Sequence, residues 1–524
     1  MKGKIIILGA GVMQGPVIKI AKELGYFTIV LDGSLHAPCI SMADQFEQID
    51  LKNKEEIETF ARFTQNSAER LGIMTAGTDF SASVAWVAEK LGLPGIPYEA
   101  ALNASDKSRM RTCFKKANLP SPDFITITRE YDINSVNLPF PLVIKPVDNM
   151  GSRGCRRADN IEDFREAVKA ALGFSRSGRA IVESFMDGPE FSVDAIVWQS
   201  EITICGLADR HIFFPPYFIE MGHTMPTVIE KEKQASMLET FCAGIRALGL
   251  AGKENVGAAK GDIKFTENGP MIGEIAARLS GGYMSGWTYP YSSGALPIKG
   301  AILAAMGQKP EGLVPIKNWT CAERAFISIP GTVKEIYGIE QAQEQKHVND
   351  VFLRIKEGDK VSFPENNVTK CGNIIAAAQD RVTATGAAEI AARSIFIRLE
   401  PSDSKTGEFL SITTAFPPDA FQLTDEIKTS LSHIPDFPTP SSTHPTLYIY
   451  PFPAFTSSGI KDYMGRSVEE CLEAVRKLTG FSLPMSEKNA ENEIVLGRSF
   501  WTAFIRGSYQ GAVYHIDTLG AVRN

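Results

Sequence analysis

Lys260-Gly-Asp-Ile-Lys-Phe-Thr-Glu-Asn-Gly-Pro-Met-Ile-Gly-Glu-Ile-Ala-Ala-Arg278 is the stretch that decides the fold. Its polar centre, Glu267-Asn268-Gly269, reads as a reversal between two strands. Asp262 and Glu274 stand twelve positions apart on either side of it, and Arg278 follows at alternate spacing. A two-residue Asn-Gly turn puts the carboxylates on opposite sheet faces. A three-residue loop with Gly269 left-handed puts them directly opposite each other on one face. Like charges facing across a ladder repel, so the sequence implies a cation between them, Mg²⁺ carrying a nucleotide.

The bulk numbers fit that inference. A chain of 524 residues exceeds what one hydrophobic core supports, so several domains are expected. With 44% hydrophobic and 22% charged residues and a net charge of −7, the composition is that of a soluble globular protein without a basic run. Nucleic acid is therefore not the expected main partner. The cysteines at 39, 113, 155, 205, 242, 321, 371 and 471 form no Cys-x-x-Cys pair, which argues against structural zinc and a disulfide framework. No apolar run approaches the roughly 20 residues that span a bilayer. The apolar start Ile5-Ile-Ile-Leu8 is broken by Gly9-Ala-Gly11, unlike an export signal. A cytoplasmic protein is expected.

The expected fold class is α/β. Residues 1–103 alternate strand and helix in a Rossmann-like pattern, with Pro16 opening a helix and Gly25 ending it. Residues 104–310 follow, starting with a helix from Asp106 to Ala117 capped by Ser105. Residues 311–405 read as a small α/β unit, and 406–524 as a further C-terminal module of open role. In that module Pro435–Pro445 is a linker, Ser467-Val-Glu-Glu470 a capping box, and alternating strands are expected to the C-terminus.

Gly9-Ala-Gly11-Val-Met-Gln-Gly15 is like a dinucleotide fingerprint, with Asp32 where a ribose-binding acid falls, but its third glycine comes one residue late. More telling are five separated pieces. They are Asp106-Lys107; Val143-Ile-Lys145-Pro146; the glycine-rich Asp148-Asn-Met-Gly-Ser-Arg-Gly154; Ile181-Val-Glu183 through Glu190 to Asp194; and the carboxylate pair with Arg278. Singly, each has a bland reading as a solvated lysine, a hairpin or a surface acid. Their order and spacing are hard to obtain by accident.

In these segments, across about residues 1–310, the chain resembles the ATP-grasp superfamily. The resemblance implies that Lys107 and Lys145 contact ATP phosphates and that the loop 148–154, with Ser152 and Gly154, closes over them. It puts Glu183, Ser184 and Met186 at the adenine edge, largely through backbone groups, and Glu190 on the ribose hydroxyls. Asp262 and Glu274 would bind Mg²⁺ (or Mn²⁺), and Arg278 would stabilise the transferring phosphoryl group, with Lys145 assisting. The family often has Glu-x-Asn-x-Arg here, whereas this chain reads Glu274-Ile-Ala276-Ala-Arg278, one metal ligand fewer. The run Glu-Ile-Ala-Ala-Arg-Leu-Ser-Gly-Gly is similar to that of the L-amino acid ligase branch, which would set Gly281 and Gly282 beside a substrate carboxylate. His223 and Arg324 are further candidates for substrate contact; His223 is as readily structural, and Arg324 is more readily an ordinary surface or interdomain arginine.

The activity so implied is an ATP-dependent carboxylate–amine ligase, forming an amide through an acyl phosphate with small-molecule acid and amine substrates. Positioning and charge neutralisation carry such a phosphoryl transfer, with no serine or cysteine nucleophile. Two alternatives stay open: carboxyphosphate chemistry like that of carbamoyl-phosphate synthetase, and a nucleotide-binding module that no longer catalyses. A homodimer stays open too.

Overall fold

Ile5, Ile6, Ile7 and Leu8 are wholly buried and form the middle of a parallel sheet, as expected for an apolar run flanked by helices. The computed structural model describes residues 2–131, 136–437, 446–488 and 493–520. The chain divides into two compact units, one comprising Met1–Glu323 and Ile375–Thr385, the other Arg324–Ile374 and Gly386–Asn524.

The first unit opens with four parallel strands in the order Gln45–Gln48, Phe27–Asp32, Lys4–Leu8, Leu71–Met74. The dinucleotide-like turn after Leu8 is filled by the protein itself. The Gln14 side chain lies where a Cβ on Gly9 or Gly11 would come within 3.1 Å of it, and it donates to the Ala76 carbonyl. Asp32 accepts from the Ala10 amide at 2.8 Å. A helix at Tyr98–Ser105, not anticipated from the sequence, leads to the helix Lys107–Lys116. Asp106 rather than Ser105 caps the latter, accepting from the amides of Ser108 and Arg109, because Ser105 is still inside the preceding helix.

Two antiparallel sheets follow. The smaller has the order Phe124–Ile127, Ala180–Ser184, Leu142–Pro146, Arg156–Ala158 and packs on helix Ile161–Phe174. The larger orders Gly269–Ala276, Val256–Thr266, Glu190–Trp198, Glu201–Phe213 and Ile219–Met225. Helix Lys231–Ala247 lies flat on one of its faces because two glycines make room. A Cβ on Gly261 would stand 2.5 Å from the Phe241 ring, and one on Gly244 2.6 Å from Ile275 Cδ1. Strand alternation then turns Lys260, Asp262 and Lys264 to the opposite face.

The second unit contains a three-stranded sheet, Lys360–Val361, Gly331–Tyr337 and Phe396–Leu399, and a parallel pair, Thr446–Ile449 with Glu493–Leu496. The Ser467 capping box opens helix Val468–Thr479 as expected. The strands expected at the C-terminus are instead one helix, Arg498–Thr518, interrupted at Ser508. Unbroken burial from Ala503 to Tyr514, with Phe500, Trp501 and Phe504 in the core, removes the one-sided periodicity that marks a surface helix. Of the proline-rich linker, residues 438–445 lie outside the described residues.

Candidate functional site

Asp262 and Glu274 are direct cross-strand partners, as the sequence implies, though by a different device. The loop has two residues, since Thr266 pairs with Gly269, and Gly269 has φ +98°. That register alone would set Asp262 opposite Gly273. A bulge between Asp262 and Ile263, with Gly273 as the extra residue, shifts the pairing by one and brings Glu274 into place. The carboxylates are also not left to face each other alone. Lys107 lies 3.3 Å from Glu274, Arg210 3.0 Å from Asp262, Lys260 pairs with Asp262, and Ser192 donates to Asp262 at 2.8 Å. Part of the positive charge assigned to a bound cation is thus built in.

On the same face a row crosses four strands: Lys264 opposite Glu190, Glu190 opposite Arg210, Arg210 opposite His223. Arg210 pairs with Glu190 and, at 2.7 Å, with Glu220. Glu190, expected on ribose hydroxyls, therefore already holds a guanidinium, with Lys264 at 3.8 Å. Arg210, Glu220 and Lys260 do not stand out as site residues in the sequence. The polar residues Glu190, Ser192 and Asp194, alternating with buried Phe191, Val193 and Ala195, were the available signal of a functional face.

The small sheet contributes Lys145 and Glu183, diagonal neighbours on adjacent strands, paired at 2.7 Å. Glu183 is buried, and its other oxygen accepts from Arg111 Nε at 2.7 Å. Arg111 also donates to the carbonyls of Ile272 (3.1 Å) and Gly273 (2.5 Å), tying this pair to the bulge that sets Glu274. Arg111 does not stand out in the sequence either, although its spacing of four from Lys107 puts both on one helix face. The amide of Ser184 is taken by Asp123 and the carbonyl of Met186 by Lys264, so of the adenine-edge backbone groups these two are already engaged. In the loop 148–154, Ser152 has φ +60°, and the Asn149 carbonyl accepts from Lys107 at 2.8 Å. Gly154 is required by packing, since a Cβ there would lie 3.0 Å from Phe174.

After Ala276 the strand ends and Arg278 follows, its Nη1 donating to the Leu279 carbonyl and its buried Nε without a partner among the described residues. Ser280 donates through N–H and hydroxyl to the fully buried Asp194. Gly281 packs on Gly77, which lies just beyond the strand Leu71–Met74 and whose amide donates to Leu279 O at 3.2 Å. A Cβ on Gly282 (φ +59°) would stand 2.9 Å from Glu220 Oε1 and 3.3 Å from His223 Cε1. Beside Gly282 there is thus an acid and an imidazole, where the sequence implied room for a substrate carboxylate. His223 is buried, 3.1 Å from Glu323. Arg324 belongs to the second unit and pairs with Glu389 at 3.3 Å.

Electrostatically the site keeps its carboxylates ionised. Burial alone would raise Glu274, but Lys107 foremost, then Lys260, Lys145 and Arg278, hold it well below the usual range. Asp262 is likewise lowered against burial by Arg210 and Lys260, and Glu183 by Arg111 and Lys145. Asp194 goes the other way, pushed by burial up to about 6. Among the described residues no three His, Cys, Asp or Glu side chains form a ready metal cage. Two ionised carboxylates beside a cluster of lysines, with an unpartnered guanidinium nitrogen, suit Mg²⁺ that brings phosphate oxygens as its remaining ligands.

Comparison with known proteins agrees with this geometry. The model for the ATP-grasp domain matches residues 138–286, and that for the L-amino acid ligase C-terminal domain 2 matches 325–400. Residues 138–286 thus carry an ATP-grasp domain, which supports an enzyme that uses ATP. Within that class, the second match relates the chain to the L-amino acid ligases. Its relatives include carnosine synthase 1 of Gallus gallus (23% identical, 59% of this chain and 36% of the relative) and alanine–anticapsin ligase of Bacillus subtilis (26%, 52% and 61%). The chain thus spans less than two thirds of the length of either. The L-amino acid ligase structure from Bacillus licheniformis shares the fold, with TM-score 0.65 and 20% identity over 76% of this chain and 98% of that one.

Proposed function

We propose that the protein joins a small carboxylic acid to an amine at the expense of ATP. A carboxylate oxygen attacks the γ-phosphorus, ADP leaves, and the amine nitrogen then attacks the acyl carbon, expelling phosphate and a proton. Mg²⁺, held by Asp262 and Glu274, would neutralise phosphate charge. Lys107 and Lys145 would bind phosphate oxygens, and Arg278 would meet charge developing on the transferred group with the nitrogen that has no partner among the described residues. The loop 148–154 would exclude water. Glu190 would bind the ribose while shared with Arg210. Gly282 opens onto Glu220, whose carboxylate suits an ammonium, with the His223 ring beside it, so we place the amino group of an amino-acid substrate there. Arg324, paired with Glu389, is given no role.

The observation that carries this proposal is the bulge-set pairing of Asp262 with Glu274, flanked by Lys107 and Arg278. No helix among the described residues is long and apolar enough to cross a membrane; the substrates proposed are dissolved metabolites, and the cytoplasm is the proposed location. Mass spectrometry of products formed from Mg·ATP and pooled amino acids is the test. The expected result is ADP, phosphate and a dipeptide or related amide. ADP release driven by bicarbonate alone would favour carboxyphosphate chemistry, and bound ATP without turnover under any acceptor would refute catalysis.

A further inference from the structure

One buried cation is shared by three carboxylates with different duties. Arg210 Nη1 bonds Glu190 and lies 3.0 Å from Asp262, while its Nε donates to Glu220 Oε2 at 2.7 Å. The proposed function gives Glu190 to the ribose, Asp262 to the metal and Glu220 to the amine substrate. Arg210 is largely shielded from water, 12% of its side chain being exposed, and these three acids hold its charge against burial. Strand alternation and register force the arrangement, since Glu190, Arg210 and His223 form one row and Asp262 lies two residues from the Lys264 that faces Glu190.

We propose that Arg210 is a positioning residue that couples the metal–nucleotide site to the amine pocket by dividing one guanidinium among Asp262, Glu190 and Glu220. This rests on the function proposed above and assigns a regulatory device to the same site. The coupling arises from competition for one guanidinium. A guanidinium close to Asp262 opposes a divalent cation at that carboxylate, and Glu220 draws the guanidinium and its charge the other way. Whatever engages Glu220, such as a substrate ammonium, changes its hold on Arg210 and so changes the field at Asp262. Coupling of this kind is reciprocal: a metal on Asp262 alters what Glu220 offers to the amine.

The test measures Mn²⁺ binding in the presence of ADP by electron paramagnetic resonance, with no turnover involved. Glu220→Gln, isosteric and remote from the nucleotide in the proposed scheme, is expected to weaken Mn²⁺ binding by about 5-fold or more, because Arg210 then rests more fully on Asp262. Arg210→Lys keeps a charge but replaces the forked guanidinium with a point donor, and in that background Glu220→Gln is expected to have little further effect. Thermal melts establish that each variant is folded; should Glu220→Gln not fold, Glu220→Asp, which keeps the charge but draws it back, carries the same measurement. Two results overturn the coupling: Mn²⁺ affinity unchanged in folded Glu220→Gln, or a loss of the same size with and without Arg210, which would mean a through-space field. Failure of the wild type to bind Mn²⁺ with ADP would overturn the proposed function along with it.

Discussion

Glu183→Gln probes the joint between the small sheet and the carboxylate hairpin. Glu183 is 2% exposed and Arg111 1%, so neither charge has water to fall back on. The substitution keeps an acceptor for Arg111 Nε but removes the charge that balances it and turns an amide toward Lys145, which now sits 2.7 Å from the carboxylate. Leaving one member of a buried pair uncompensated costs about 3–5 kcal/mol. Arg111 retains its bonds to Ile272 O and Gly273 O, which favours the lower end. With an m-value of about 3 kcal/mol/M, the urea midpoint of the first unit should fall by roughly 1 M. The sign with pH follows from the lowered pKa of Glu183. Its contribution is present above the ordinary carboxyl range and is lost as pH falls through the depressed folded value, so the deficit of the variant should shrink in acid. A midpoint shifted by less than about 0.2 M at neutral pH would mean that the pair does not hold the sheets together and would refute the argument.

Other outcomes follow from neighbouring features. Glu274→Ala should abolish ADP formation while the fold persists, because the side chain is one third exposed at the cleft; an unchanged rate removes Glu274 from the mechanism. Gly261→Ala should destabilise by about 1–3 kcal/mol through overpacking against Phe241, measured as a lower urea midpoint, and an unchanged midpoint would show that the helix yields. Asp194 titrates near 6 in the fold, so the folded protein binds its proton more tightly than the unfolded chain. That contribution is full below the ordinary carboxyl pKa and is lost as pH rises through about 6. The stability of wild type relative to Asp194→Asn should therefore decline across that window, and a flat difference would contradict it.

The order of parallel strand and helix in the first hundred residues, the capping box at Ser467 and the facing of Asp262 and Glu274 were all legible in the chain. Each follows from a local rule of period, cap or turn chemistry. The route to that facing was not, because a loop one residue shorter is corrected by a bulge at Gly273, and two compensating shifts leave the same parity of faces. The final helix was read as strands because burial on all sides from Ala503 to Tyr514 erases amphipathic period.

What the amino-acid order determined by itself is the chemistry on offer: which acids, lysines and glycines alternate onto one face of each strand. What only the tertiary structure decided is how they share charge. Arg210 meets Glu190, Glu220 and Asp262, and Arg111 meets Glu183, across separations of 10 to 72 residues. Such meetings depend on sheet order and register rather than on spacing along the chain, because a charge takes its strength from whatever is packed around it.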